Sequence, residues 1–414
     1  MTALDFGARA TAARLATRMS ANERAGRLHR LATAAKGANA SDWAALASPP
    51  GLSCTGNAAG PGLSQIFTAA NNPSLFTLYG GVPARDSSGA LYGGYWRGHS
   101  VTLPSGGNAG VGTGAQGVVM RVAFRSDAPA IDIIMLGQAA TSRIRVLIDG
   151  RYADKTGVST ATTSGGNTLS LVWPAGTPRA MRRYDVEYEK DGGFFGVRVA
   201  PGDMVQPIAT GARYRIAVLG DSVAAGIGAT HAADGFAFHA GRRLGNMDLD
   251  MVAMGIGGTG FCNAGAAAAF PDRLDDLLLQ PVDEVWIAGG ANDQAFSADQ
   301  ATAAALACLK GVRTRCPDAP ILLLGSFVGG GDNAAARATE TAIRAGFYQF
   351  ADPLAAFIPF NLAIPPLQTG NFQNPAAGNY QFYGQGTSDT THPSDAGHDY
   401  IGAYIAEARR SITL

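Results

Sequence analysis

The sequence predicts an α/β protein. A parallel sheet with helices on both faces fills the C-terminal half, an all-β sandwich or jelly roll precedes it, and a short helical segment opens the chain. Three observations carry this reading. From about residue 210, short continuous apolar runs alternate with helical stretches, as strands buried on both faces require. Between about 50 and 205, short alternating runs are punctuated by turn residues. Before that, Ala and Arg dominate, and apolar residues fall only loosely at helical spacing. The expected divisions are 1–45 (helical), 50–207 (sandwich) and 208–414 (parallel sheet).

Size and composition set outer limits. The 414 residues suffice for two or three domains, and 46% hydrophobic residues can build sizeable cores. Charged residues make up 15% and the formal net charge is zero, which argues against nucleic acid as a partner. No apolar run approaches the ~18–20 residues that cross a bilayer. The first thirty residues carry arginines throughout and no apolar stretch, so no signal peptide is visible. The compartment stays open, including an extracellular or particle-associated site reached by another route. Cys54, Cys262, Cys308 and Cys316 do not read as a disulfide framework in a chain this long. All four are expected as free thiols.

The N-terminal segment is expected as one or two helices with a basic face. They either pack on the body of the protein or serve self-association or docking to a larger particle. In the sandwich region, Met120, Val122 and Phe124 alternate with Arg121, Ala123 and Arg125, as in a half-buried strand. Asp149-Gly150 separates two strand-like runs and signals a hairpin. Tyr184, Val186 and Tyr188 share one face, Asp185, Glu187 and Glu189 the other. Ser105–Gly117 reads as a loop. The sandwich is expected to brace the next domain and to form one wall of the site, with carbohydrate binding as the alternative. Further on, strands are expected at Arg215–Leu219, Met251–Met254, Glu284–Ala288 and Ile321–Leu324. Helices are expected at Gly235–Leu244, Pro271–Leu279, Ala298–Thr314 and Ala334–Ala345, and one more follows Pro393.

Ligands of parallel sheets bind beyond the carboxyl ends of the strands. Gly220-Asp221-Ser222 follows the first strand, and Gly255-Ile-Gly-Gly-Thr-Gly260 the second. Gly289-Gly-Ala-Asn-Asp293 follows the third, and Ser388-Asp-Thr-Thr-His-Pro393 leads into the last helix. Ser222 can cap a helix or act as a nucleophile. Asp389 and His392, three apart, can form a carboxylate–imidazole pair. His398 competes as a base but has no such partner upstream. Asn292 and the glycine run read either as ordinary turns or as side-chain and backbone donors for an oxyanion.

In this order the four blocks resemble the SGNH hydrolases, also called GDSL-type lipases and esterases, over residues ~210–414. Val223 stands where that family often has leucine. The resemblance implies a flavodoxin-like three-layer α/β/α hydrolase domain. It also implies a role for each position: Ser222 the nucleophile, His392 the base, Asp389 its orienting carboxylate. Ser222 N–H, Gly258 N–H (with Gly257 the neighbouring alternative) and the Asn292 side chain would form the oxyanion hole. Asp221 and Asp293 would support their loops, and Ser222 would open a helix. No cofactor is required.

Other chemistries fit less well. Neither a G-x-G-x-x-G nor a G-x-x-x-x-G-K-[ST] loop is present, and Ala224 breaks the G-x-S-x-G elbow. His231 and His239 lack a third ligand, so no metal is expected. The polar segment Pro365–Ser388 is interleaved with Phe372, Tyr380, Phe382 and Tyr383, and rings among Asn and Gln suit a sugar, though they can equally anchor the loop. Some carbohydrate esterases of the family also place a sandwich before the hydrolase domain. The preferred reading is therefore removal of O-acetyl groups from a poly- or oligosaccharide. The alternatives are a broad small-ester or lipid esterase, and a glycan-binding or particle-assembly protein with a weak or inactive hydrolase domain.

Overall fold

The computed structural model describes residues 43–56, 58–81, 84–85, 91–92, 119–137, 143–160, 165–189, 192–209, 213–245, 247–265, 267–278, 281–328, 330–331, 333–385 and 389–412. The helical segment expected at 1–45 lies outside these up to residue 42, as do the loop expected at 105–117 and Ser388. The described residues fall into two compact units, 43–209 and 213–412.

The first unit is built of two antiparallel sheets. One runs Gly51–Thr55, Gly165–Val172, Ala130–Gly137, Gly192–Val199, Leu91–Tyr92, Ala84–Arg85, and Gln65–Thr68 also pairs with Gly192–Val199. The other runs Val158–Ser159, Arg143–Ile148, Arg182–Glu189, Val119–Ser126, Val205–Gln206, with Thr77–Tyr79 and Arg151–Tyr152 paired alongside. Met120, Val122, Phe124, Tyr184, Val186 and Tyr188 are buried, as their alternation predicts. Phe76 joins the two sheets, its ring 5.9 Å from Phe124 and 5.1 Å from Phe194. Asp149 and Gly150 both have positive φ, 48° and 84°, and Ile148 pairs with Arg151 across them. This is the tight turn whose twist matches a hairpin.

Two expectations need correction here. The strand at 119–126 is not half-buried, because Arg121 and Ala123 are buried as well. Arg121 lies over the rings of Tyr79 (4.2 Å) and Trp43 (5.4 Å) and faces Asp185 at 3.7 Å. Arg183 pairs with Asp185 at 2.7 Å, and Arg145 with Glu187 at 2.6 Å. Charges that read as a solvated face neutralise one another beneath aromatic rings. Residues 43–45 are not helical: Trp43 N–H bonds Gly150 O and Ala45 bridges Tyr152, so this stretch edges the hairpin.

The second unit carries five parallel strands: β1 (Tyr214–Gly220), β2 (Leu249–Gly255), β3 (Glu284–Ala288), β4 (Ile321–Leu324) and β5 (Ala355–Ile358). Their order is β2-β1-β3-β4-β5, the flavodoxin-like arrangement. β5 is four residues long and flanked by Pro353 and Pro359, so the sequence does not announce it. Five helices follow: α1 (Phe236–Leu244), α2 (Ala298–Arg315), α3 (Ala334–Phe350), α4 (Tyr380–Tyr383) and α5 (Asp395–Ser411). Side chains cap three of them. Ser297 forms a capping box with Gln300, Asn333 accepts from Ala336 N–H, and Ser394 accepts from Gly397 N–H. α1 and α5 cover the face bearing Ile216, Val218, Trp286, Leu322 and Leu324. Each such fully buried side chain contributes about 1.5–3 kcal/mol. α2 packs against α3 and against the segment Phe270–Leu278.

That segment, expected as a helix, is a 3-10 turn kinked at Arg273 (φ −118°, ψ 19°). The kink accompanies an arginine side chain turned inward. Nor does Ser222 open a helix. Residues 221–229 form successive turns, in which Gly226 and Gly228 have positive φ (77° and 98°) that a right-handed helix does not admit.

Candidate active site

The last residues of β1, β2 and β3 lie side by side: Gly220 pairs with Gly255 on one flank and Ala288 on the other. Ser222, Gly258 and Asn292 follow these three ends, at the point where strand order reverses.

Asp221 decides what Ser222 is free to do. Its buried carboxylate accepts the Val223 N–H at 2.9 Å, so the capping role belongs to aspartate. Burial pushes this carboxyl up to about 6. Among the described residues, neither Ser222 Oγ nor Ser222 N–H has a hydrogen-bond partner, and the side chain is partly exposed.

The imidazole comes from the segment before α5. His392 Nδ1 lies 2.8 Å from Asp389 Oδ2, while Asp389 Oδ1 accepts the N–H groups of Thr391 (2.7 Å) and His392 (3.1 Å). Partial burial raises the Asp389 carboxyl, but these hydrogen bonds outweigh it and hold it below the usual value. The segment packs on the turns after Ser222. A Cβ on Gly228 would lie 2.9 Å from His392 Cβ and would overlap Pro393 O. Gln385 Nε2 donates to the carbonyls of His392 (3.3 Å) and Pro393 (3.2 Å). Thr230 N–H and Oγ1 both donate to Asp395. His398 is occupied elsewhere: its Nδ1 accepts Phe236 N–H (3.1 Å) and its Nε2 donates to Ile227 O (3.0 Å). Burial pulls it down to about 4, so it stays neutral and serves as a tie.

Gly258 and Asn292 follow the neighbouring strands β2 and β3. Gly258 is exposed and left-handed (φ 74°), and its N–H has no acceptor among the described residues. Asn292 Nδ2 gives one hydrogen to Thr259 O (2.9 Å), which leaves its second hydrogen unassigned. Asp293 is fully buried and accepts the N–H groups of Phe261 (2.9 Å), Cys262 (2.8 Å) and Asn263 (3.0 Å). It holds the glycine loop in shape.

Residues 218–400 match the model of the GDSL-like Lipase/Acylhydrolase family. The second unit is similar to the GDSL-type domain over most of its length. That similarity supports a general esterase function. No curated protein matches the chain in sequence. Solved structures match it in fold across both units. A salicylyl-acyltransferase, SsfX3, from a tetracycline biosynthetic pathway is 16% identical, covering 81% of this chain and 95% of its own, with TM-score 0.61. A family two carbohydrate esterase from Cellvibrio japonicus is 13% identical (87% and 98%, TM-score 0.59). An acetyl xylan esterase, Est2A, from the rumen bacterium Butyrivibrio proteoclasticus is 13% identical (84% and 98%, TM-score 0.55).

The four aromatics of the segment before Asp389 divide. In the second unit Tyr380 and Tyr383 are buried, their rings 5.2 Å apart, and Phe372 packs on the same core. Buried rings have no face for a ligand, so for Tyr380 and Tyr383 the expectation of substrate contact is corrected: they anchor the loop. Phe382 is 62% exposed and keeps a ring face available. Two polar residues that support the site escape the motif reading. Arg273 donates to Met254 O and Gly220 O at the strand ends. Glu340 accepts the N–H groups of Ser326 (3.2 Å), Phe360 (2.8 Å), Asn361 (2.8 Å) and Leu362 (3.2 Å), and so pins the loops after β4 and β5. Helical spacing holds the missed signal: Glu340 lies on one face with Ala336 and Ile343, and Arg273 is three residues from Phe270.

Proposed function

We propose that the chain is a serine esterase that removes O-acetyl groups from a poly- or oligosaccharide. Ser222 Oγ attacks the acetyl carbonyl while His392 Nε2 takes its proton. Asp389, bonded to Nδ1, orients the ring and stabilises the imidazolium that forms. The tetrahedral oxyanion is held by the N–H groups of Ser222 and Gly258 and by the Asn292 amide. The carbonyl–sugar C–O bond then breaks, and His392 returns the proton to the departing sugar hydroxyl. Water, deprotonated by His392, attacks the acetyl-enzyme carbonyl; the Ser222 Oγ–C bond breaks, His392 returns the proton to Oγ, and acetate leaves.

The observation that carries this reading is the Asp389–His392 pair packed on the Ser222 turn, together with the N–H groups of Ser222 and Gly258, which have no acceptor among the described residues. Support for a sugar ester is of a different kind. Structures of the same fold are named as carbohydrate and acetyl xylan esterases, and Phe382 offers an exposed ring in a polar loop.

Two experiments test it. Intact mass after fluorophosphonate treatment is expected to show one adduct on the wild type and none on Ser222→Ala. A folded wild type without an adduct would favour the glycan-binding alternative. Acetyl esters are expected to turn over faster than octanoyl esters, with acetate released from an acetylated glycan. A preference for octanoyl would favour the lipid-esterase alternative.

A further inference from the structure

We infer that Arg273 is a positioning residue for the oxyanion hole, a single buried guanidinium that holds together the three loops carrying the proposed donors. The inference rests on the esterase mechanism above and names a part that mechanism does not include.

The connections are direct. Arg273 Nη1 donates to Met254 O at 2.6 Å, next to the end of β2. Nη2 donates to Gly220 O, the last residue of β1 and two before Ser222, and also to Thr259 Oγ1 at 3.3 Å. Thr259 follows Gly258 and is fully buried. Its hydroxyl donates to Ile256 O at 2.7 Å, which closes the turn in which Gly258 is left-handed. Its carbonyl accepts from Asn292 Nδ2 at 2.9 Å. One side chain therefore reaches the Ser222 loop, the Gly258 turn and, through Thr259, the Asn292 amide.

The residue type matters. A planar fork can serve carbonyls on two neighbouring strands and a hydroxyl at once, whereas an ammonium is a single point of charge on a flexible stem. The guanidinium is buried and lies over the Phe270 ring at 5.0 Å, and Phe270 meets Phe261 edge-on at 5.0 Å. Burial lowers Arg273 to about 10, with the acidic neighbours Asp276 and Asp221 opposing that shift, so the group is charged at neutral pH.

Steady-state hydrolysis of 4-nitrophenyl acetate by wild type and Arg273→Lys tests this, together with affinity for an alkylboronic acid, whose tetrahedral serine adduct places an oxygen in the hole. The expected result is a folded variant whose kcat falls about 100-fold, the scale of one lost oxyanion donor. KM should change less than about threefold, and boronate affinity should fall in step with kcat, as for an interaction made in the transition state. A folded Arg273→Lys with kcat within about threefold of wild type overturns the inference while leaving the esterase reading intact. If Arg273→Lys does not fold, Thr259→Val decides, since it cuts the link and leaves the arginine. A roughly tenfold loss in kcat at unchanged KM supports the inference, and wild-type kcat overturns it. A wild type that neither turns over the ester nor takes a fluorophosphonate removes the esterase reading and this inference with it.

Discussion

The Asp221 carboxylate satisfies the Val223 N–H, and the adjoining Ser222 hydroxyl is therefore not spent on the turn that carries it. Adjacent residues divide in the same way at Asn292-Asp293, where the aspartate shapes the glycine loop and the asparagine amide bonds Thr259 O with one hydrogen. Substitutions should separate the two kinds of role. Asn292→Ala removes one donor and is expected to lower kcat by about 10²–10³ with little change in KM. Asp389→Asn keeps the size but supplies the wrong partner for Nδ1, and a loss of roughly 10²–10⁴ in kcat is expected. In both cases circular dichroism should report an intact fold. Gly258→Ala puts a Cβ on a residue at φ 74°, at a cost of about 1–2 kcal/mol, and should lower both the melting temperature and kcat. The four motif blocks were legible because each is a short run of particular residue types next to a strand or helix. That both nitrogens of His398 are used was not, since only packing shows it.

Among the elements, those that the sequence misassigns are the ones polar side chains remodel. Phe270–Leu278 has the spacing of a helix, yet the inward turn of Arg273 toward two strand-end carbonyls goes with a 3-10 kink. The stretch after Ser222 breaks into turns that the α5 residue His398 and the Asp395 carboxylate tie down. α3 carries the strongest such device, for Glu340 gathers the backbone of two loops. Glu340→Gln is expected to cost at least about 3 kcal/mol, because an amide N–H₂ would face N–H donors that a carboxylate oxygen accepts. Chemical denaturation of the variant should show the midpoint drop, and an unchanged midpoint would refute the account. By contrast α2 and the first four parallel strands were readable, since continuous apolar runs and a long helical stretch need no tertiary partner to be recognised. β5 was not, because four residues between prolines gain strand geometry only from pairing with β4.

Across the whole molecule, buried titratable groups set an acid limit. Burial holds His398 and His239 down at about 4, in His239 despite an Asp399 oxygen 2.9 Å away. The unfolded chain protonates both near 6.5. Their contribution is therefore complete above about 6.5 and is lost as pH falls toward 4. Asp221 acts in the opposite sense. Its carboxyl is raised to about 6, so the folded state takes up a proton earlier than the unfolded one and regains stability between about 6 and 4. Two histidines against one aspartate leave a net loss on acidification, about 1.4 kcal/mol per pH unit for each net proton. The urea midpoint should fall between pH 7.5 and 4.5, and His398→Gln should start lower but depend less on pH. A midpoint that rises on acidification would contradict this. Among the described residues no helix is long and apolar enough to cross a membrane.

By itself the sequence determined the α/β class, the sandwich before it and the four blocks after the strands. These rest on local periodicity and on residue types that chemistry requires. Only the tertiary structure decided that Asp221 rather than Ser222 caps the turn, that Tyr380 and Tyr383 are anchors, and that the charged sandwich face is covered. It also decided that Arg273 bonds carbonyls at the ends of β1 and β2 and that Glu340 gathers the loops after β4 and β5. Each of these depends on what a side chain meets from a distant part of the chain, and no local pattern encodes that.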